Sequence, residues 1–441
     1  MNANPSMTGL NRLSARLPTG AMVGVLLLLM ALLPCGVRAA PLTALKISDN
    51  GRYFVDGAGR PFFWQGDTEW ELFHMFSVAD ARTLLEKRRA QGFNVIQVMV
   101  TGVYPEMSYK WGAMKGKNPA EDTPAWLNNN PLEPNEAYFT RADAIVAEAE
   151  RCGIILVVGV YHAEDEPPGR INFSNAGPWA RWLAHRYRNA SNIVWSMYPH
   201  ARPASEAVVR ATIQGLRDGD GGSHLITMHP DPGPTSSSFM HSEPWLSFNT
   251  LQSYSTAFVN HTLVSADYAR TPSKPVVDGE ARYENEAGTT ALGARRAGYW
   301  ACLAGGFYSY GHRDNWLSPQ TWQTWLDTPG AAEMKIMGDL FRSLTWWTLI
   351  PDQTIFGQHV EGDVAARGAD GGWLLAYLTS PAPVVIKLDA ITGSDPVAVT
   401  WIDPKTGTRT PAGRFSRQDA PSFTMPAGWE DALLLCEKTS R

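Results

Sequence analysis

From Pro61 to His312 the chain alternates two rhythms. Eight short runs are apolar almost throughout and rich in β-branched and aromatic residues: PFFWQG (61–66), FNVIQVMV (93–100), GIILVVGVYH (153–162), NIVWSM (192–197), HLITMH (224–229), FNTLQSY (248–254), KPVVDGE (274–280) and GGFYSYGH (305–312). Such runs predict strands covered on both faces. Between them apolar residues recur at helical spacing. In SVADARTLLEKRRAQG, Ser77 and Asp80 form a capping box and Gly92 is the stop. In AYFTRADAIVAEAERCG, Phe139, Ala142, Ile145, Val146 and Ala149 make one stripe, closed by Gly153. Eight β/α units in about 290 residues predict an α/β fold, a (β/α)8 TIM barrel. The fifth and sixth units are the least regular.

After TWWTLIPDQT (345–354) the texture changes to short strands, such as GWLLAYLT, VAVTWID and ALLLCEK, separated by turn chemistry at Ala369-Asp370-Gly371-Gly372 and Asp403-Pro404-Lys405-Thr406-Gly407. This predicts a small all-β sandwich, giving a barrel over 40–352 and a sandwich over 353–441. Its Trp373 and Trp401 are expected to pack the sandwich or its contact with the barrel, with stacking on a glycan as the alternative.

Residues 1–39 read as a signal peptide. Arg12 and Arg16 precede the apolar run Ala21 to Leu33, and Val37 and Ala39 are the small residues before a cleavage site. That run is about 13 residues, short of the roughly 20 that span a bilayer, so export to the periplasm or beyond is expected, without stable membrane insertion. Cys35 follows Pro34, unlike a lipoprotein signal. The remaining Cys152, Cys302 and Cys436 are an odd number, which argues for buried free thiols rather than a disulfide framework.

A net charge of -5 and the lack of any Lys/Arg block exclude a phosphate-neutralising nucleic-acid binder. The 17 Trp and 14 Tyr point instead to a carbohydrate partner, because flat aromatic faces suit the C–H faces of sugars.

Barrel chemistry gathers at the carboxyl ends of strands. There stand Asp67, Glu69, His162, Glu164, Asp165, His200, His229, Glu280, Arg282, Glu284, His312 and Asp314. The sharpest stretch is KPVVDGEARYE, a strand that ends on Asp278-Gly279-Glu280. A carboxylate just past the seventh strand, beside a small residue, is where barrel glycosidases hold the nucleophile that stabilises an oxocarbenium-like transition state. The rival role for Glu280 is a rim ion pair with Arg282 or Arg313. The matching proton donor belongs after the fourth strand, about 5–5.5 Å away in retaining enzymes. Here that position reads Tyr198-Pro199-His200.

FFWQGDTEWELFH (62–74), GFNVIQV (92–98), NIVW (192–195), HPDPGPTSSSFMH (229–241), KPVVDGEARYE (274–284), YGHRDNW (310–316) and IPDQT (350–354) resemble the apiosidase-like glycoside hydrolases, whose TIM barrel is followed by a β-sandwich labelled collagen-binding. The resemblance implies a secreted hydrolase of plant-type or related furanosyl glycans, with the nucleophile at Glu280. The family's acid ends a W-x-L-G-G-D stretch, whereas this chain has His200 there, so that assignment does not carry over. Three explanations follow: His200 donates the proton itself, Glu164 or Asp165 has taken over, or the site binds sugar without hydrolysis. Asp67, Trp70, His229, His312, Asp314 and Glu284 are expected to bind and orient the sugar. The reading requires no cofactor. A metal hydrolase using His162, His229, His312 and Asp314 is the remaining alternative, weakened because no His-x-His follows the first strand.

Overall fold

The computed structural model describes residues 43–103, 123–162, 170–198, 206–255, 258–393 and 396–439, with the side chains of His162 and Tyr198 excepted. The expected signal peptide, Cys35 and the acid candidates Glu164, Asp165 and His200 lie outside the described residues.

All eight apolar runs contribute a strand to one parallel sheet: β4 (Gln65–Thr68), β5 (Val95–Met99), β6 (Ile155–His162), β7 (Ile193–Tyr198), β8 (Ile226–Met228), β9 (Asn249–Leu251), β10 (Val276–Asp278) and β11 (Phe307–Tyr310). They pair in the order β8-β7-β6-β5-β4-β11-β10-β9. β8 and β9 close the ring through Ser247 N, which donates to Ile226 O at 2.8 Å, and Thr227 Oγ1, which donates to Phe248 O at 2.9 Å. This seam joins the two units whose pattern is least regular, and each of its strands has only three residues. The structure is a TIM barrel.

The first run divides in two. Pro61–Phe62 forms β3, the edge of a small antiparallel sheet with β1 (Lys46–Ile47) and β2 (Phe54–Val55), and the barrel strand starts only at Gln65. An edge suits Pro61, which has no N–H to give a ladder. Asn94 spans the break: its Oδ1 accepts from Gln65 N at 2.9 Å and its Nδ2 donates to Phe63 O at 2.8 Å.

The helix Val78–Ala90 starts where Ser77 Oγ accepts from Asp80 N at 3.1 Å and stops at Gly92, whose φ of +88° favours glycine. Its buried face is Ala81, Leu84, Leu85 and, unexpectedly, Arg88. The helix Glu136–Arg151 buries the stripe read from the sequence, Phe139, Ala142, Ile145, Val146 and Ala149.

The C-terminal part is all-β. β12 (Leu349–Pro351), β14 (Val364–Gly368), β15 (Trp373–Leu378), β20 (Ala432–Lys438), β17 (Val397–Ile402) and β18 (Arg409–Phe415) make a six-stranded antiparallel sheet in that order. β13 (Phe356–Gln358), β16 (Val384–Ile386) and β19 (Ser422–Phe423) make a smaller one. The two-residue period of a strand divides the large sheet's side chains cleanly. Leu375, Tyr377, Leu433 and Leu435 share a core with Tyr299, Trp300 and Met334 of the barrel helices, while Leu374, Ala376, Leu434 and Cys436 meet the small sheet at Ile386 and Phe423. Trp373 belongs to the first of these cores and Trp401 to the second, and both are buried, which removes the glycan-stacking alternative for them. Cys152, Cys302 and Cys436 are free and buried.

The barrel side and the sheet are also joined by charge. Arg295, on the helix Ala291–Leu303, donates from Nε and Nη2 to both carboxylate oxygens of Asp431 at 2.8 Å and from Nη1 to Glu333 at 2.8 Å. Tyr377 OH completes the group by donating to Asp431.

Candidate active site

β10 ends on Asp278, and the chain turns through Gly279 to bring up Glu280, which is buried at the strand's carboxyl end. Glycine is required at this turn. A Cβ at position 279 would stand 2.8 Å from Thr250 Cγ2 and 3.3 Å from Gln97 Oε1. Gln97, the polar residue inside the apolar strand VIQVM, fixes the turn by donating from Nε2 to Gly279 O at 2.7 Å and to Thr68 Oγ1 at 3.1 Å.

Oε2 of Glu280 faces Nε2 of His229 at 3.3 Å, and Nδ1 of the same ring lies 3.2 Å from Pro230 O. Trp70 meets His229 edge-on, with centroids 5.8 Å apart, and its indole N–H donates to Tyr283 OH at 2.9 Å. Met99, Val103 and Trp316 pack against Trp70. A carboxylate is thus held against an imidazole that the buried Trp70 indole backs edge-on. Such a group can place negative charge under a developing cation in surroundings that exclude most water.

Residues 48–348 match the family model "Apiosidase-like, catalytic domain", and residues 350–437 match "Putative collagen-binding domain of a collagenase". The chain belongs to the apiosidase-like family. Among solved structures it is similar to a protein described as a glycoside hydrolase, at 25% identity and a TM-score of 0.78, over 90% of this chain and 98% of the other. It is also similar to a glycoside hydrolase family 5 protein from Bacteroides vulgatus ATCC 8482, at 26% identity and a TM-score of 0.76, over 89% and 93% of the two chains. A further structure from the same organism, at 14% identity and a TM-score of 0.67 over 90% and 82% of the chains, shares the fold. No curated protein matches. Family and structural relatives agree on a glycosidase class.

In this apiosidase-like barrel the candidate residues divide among several places. Trp70, His229 and Glu280 come together. Arg282 and Arg313 turn elsewhere: the Arg282 guanidinium lies over the Tyr254 ring, and Arg313 Nε donates to Asp314 Oδ1 at 3.0 Å.

Asp67 is not on the surface that a sugar reaches. It is fully buried within β4, with Oδ2 2.6 Å from Arg88 Nε, beside Glu69, whose Oε1 is 3.2 Å from the same nitrogen. Burial pushes both carboxyls up, and the neighbouring Asp67 charge pushes Glu69 further, well above the usual carboxylate range. The two acids share one guanidinium, which ties β4 to the helix Val78–Ala90.

Glu284 and His312 also leave the Glu280 group. Glu284 accepts from Tyr310 OH and, at 3.1 Å, from Gly330 N, so its carboxylate caps the helix Pro329–Arg342. His312 stacks on Trp325, 6.0 Å between centroids, and its Nδ1 accepts from Asp314 N at 3.1 Å. Burial pushes the His312 pKa down, which leaves a neutral ring. Both residues line a cleft of about 610 Å³ whose other walls include Arg295, Glu333, Lys405 and Glu430. Among the described residues no three His, Cys, Asp or Glu side chains group as a metal site.

Sequence reasoning missed Gln97, Arg88, Tyr254 and Tyr283. Two of them left a signal: a glutamine interrupts an apolar strand, and an arginine occupies the 81/84/85/88 stripe of an otherwise apolar helix face. It also left Asp278 without a role. This carboxyl is fully buried under the turn, accepting from Ser253 Oγ at 2.8 Å and Ser253 N at 3.4 Å, and burial pushes its pKa up to about 7.

Proposed function

We propose that the protein is an exported, cofactor-independent retaining glycoside hydrolase acting on plant-type or other furanosyl-containing polysaccharide, with Glu280 as nucleophile. The observation that carries this reading is the buried Glu280 carboxylate held past the seventh barrel strand, 3.3 Å from His229. Family membership supplies the reaction class. The basic residues Arg12 and Arg16 and the apolar run Ala21 to Leu33 support export.

In the first step Glu280 attacks the anomeric carbon while the bond to the leaving oxygen breaks and a proton donor protonates that oxygen. The covalent glycosyl-enzyme is then opened by water, whose proton returns to the donor, and Glu280 is released as carboxylate. His229 orients Glu280, and Trp70 backs the His229 ring. The donor comes from the segments after the third and fourth strands: His200, whose ordinary pKa of about 6.5 makes it a competent acid at neutral pH, or Glu164 or Asp165.

A panel of pectic and arabinan-type polysaccharides, read for released sugar, tests the activity. The donor is identified by two substrates, because an aryl glycoside with an acidic phenol departs without protonation and a natural sugar alcohol does not. If His200 donates, His200→Ala slows the natural substrate by about 100-fold and leaves the aryl glycoside nearly unchanged. The same selective loss on replacing Glu164 or Asp165 assigns the donor there. A wild type that binds glycan but cleaves neither substrate contradicts the proposal.

A further inference from the structure

Tyr254 is a bulky residue in a backbone conformation that favours glycine, with φ at +42°. It follows β9, and the segment 278–286 holds it from several sides. Its N–H donates to Glu280 O at 3.0 Å, and its hydroxyl donates to Glu286 Oε1 at 3.0 Å. The Arg282 guanidinium lies 5.5 Å from the ring centroid and donates to the Tyr254 carbonyl at 3.5 Å. Ser253, the residue before it, is held by Asp278. Despite these restraints Tyr254 is 36% exposed, whereas Glu280 and Glu286, which it bonds, are buried. Burial and the Glu286 and Glu280 charges push the Tyr254 hydroxyl up to about 12, so it remains a protonated donor at neutral pH.

A strained backbone that keeps an aromatic face open is not a packing solution, and strain of this kind concentrates at ligand-contacting sites. The segment that carries Glu280 is the one that clamps Tyr254, through the Glu280 backbone carbonyl and the Glu286 carboxylate. We propose that Tyr254 is a specificity-determining residue whose exposed face forms the wall on which the sugar over Glu280 is seated. This rests on Glu280 being the reacting carboxylate. Among the described residues, Glu280, Glu286 and Arg282 surround Tyr254 with an acidic balance, which suits a neutral glycosyl residue with an apolar C–H face rather than an anionic one.

The test is steady-state kinetics on the polysaccharide that the wild type cleaves, together with thermal unfolding. Tyr254→Gly removes the ring and relieves the backbone, so KM is expected to rise about 10-fold with kcat within about 3-fold, while Tm stays level or rises. Tyr254→Phe keeps the ring and is expected to recover most of the KM loss. A KM for Tyr254→Gly within about 2-fold of wild type overturns the wall while leaving Glu280 in place. A parallel fall of kcat and Tm overturns it in favour of a purely structural role. A wild type that neither cleaves nor binds any glycan overturns both this inference and the reading on which it rests.

Discussion

His229 Nε2 stands 3.3 Å from Glu280 Oε2, joining the end of the fifth barrel strand to the turn after the seventh. The contact sets which way the carboxylate faces, and a misplaced reacting group loses rate steeply. His229→Ala is expected to lower kcat/KM by about 100-fold with the fold intact, as read by steady-state kinetics and circular dichroism. A loss smaller than about 3-fold contradicts an orienting role.

Asp278 gives the fold a pH dependence of defined sign. Its folded pKa is raised to about 7 by burial, whereas an unfolded aspartate titrates near about 3.9. The native carboxyl holds its proton more tightly, so the associated stability is complete below about pH 4 and is lost as pH rises through about 7. A gap of about three units corresponds to on the order of 4 kcal/mol. Asp278→Asn is expected to flatten the fall in Tm between about pH 4.5 and 8 relative to wild type, measured by scanning calorimetry. Equal slopes for the two proteins contradict the assignment.

The barrel was legible because burial on both faces writes itself as eight apolar runs, and caps such as Ser77 and stops such as Gly92 and Gly153 are local chemistry. The split at Pro61–Phe62 was not, because it depends on Asn94, about 30 residues away, bonding across the break. The place of Glu280, just past the seventh strand, was legible in the sequence. The partners of Asp67 and Glu284 were not legible, because a carboxylate at a strand end looks the same whether it meets solvent, Arg88 or the Gly330 amide. Those partners lie 21 and 46 positions away, and only the fold brings them close. Tyr254 was invisible for another reason: its meaning lies in a φ angle.

The Arg295 group should hold the C-terminal sheet onto the barrel helices. Arg295 is buried and bonds Asp431 and Glu333, so removing it leaves buried carboxylates without their cation. Arg295→Met is expected to destabilise the protein by about 3–5 kcal/mol in urea unfolding. It is also expected to separate a second transition for the sheet. A single transition at the wild-type midpoint contradicts this account.

In the proposed mechanism Glu280 forms the bond to the sugar. Glu280→Gln keeps the side chain's shape and much of its hydrogen bonding but removes the charge and the nucleophile. Measured on a cleaved polysaccharide, kcat for this variant should fall by several orders of magnitude while its circular dichroism and glycan affinity stay close to wild type. A variant that retains more than about a tenth of the wild-type rate contradicts the assignment, because loss of even one transition-state contact commonly costs about 100-fold.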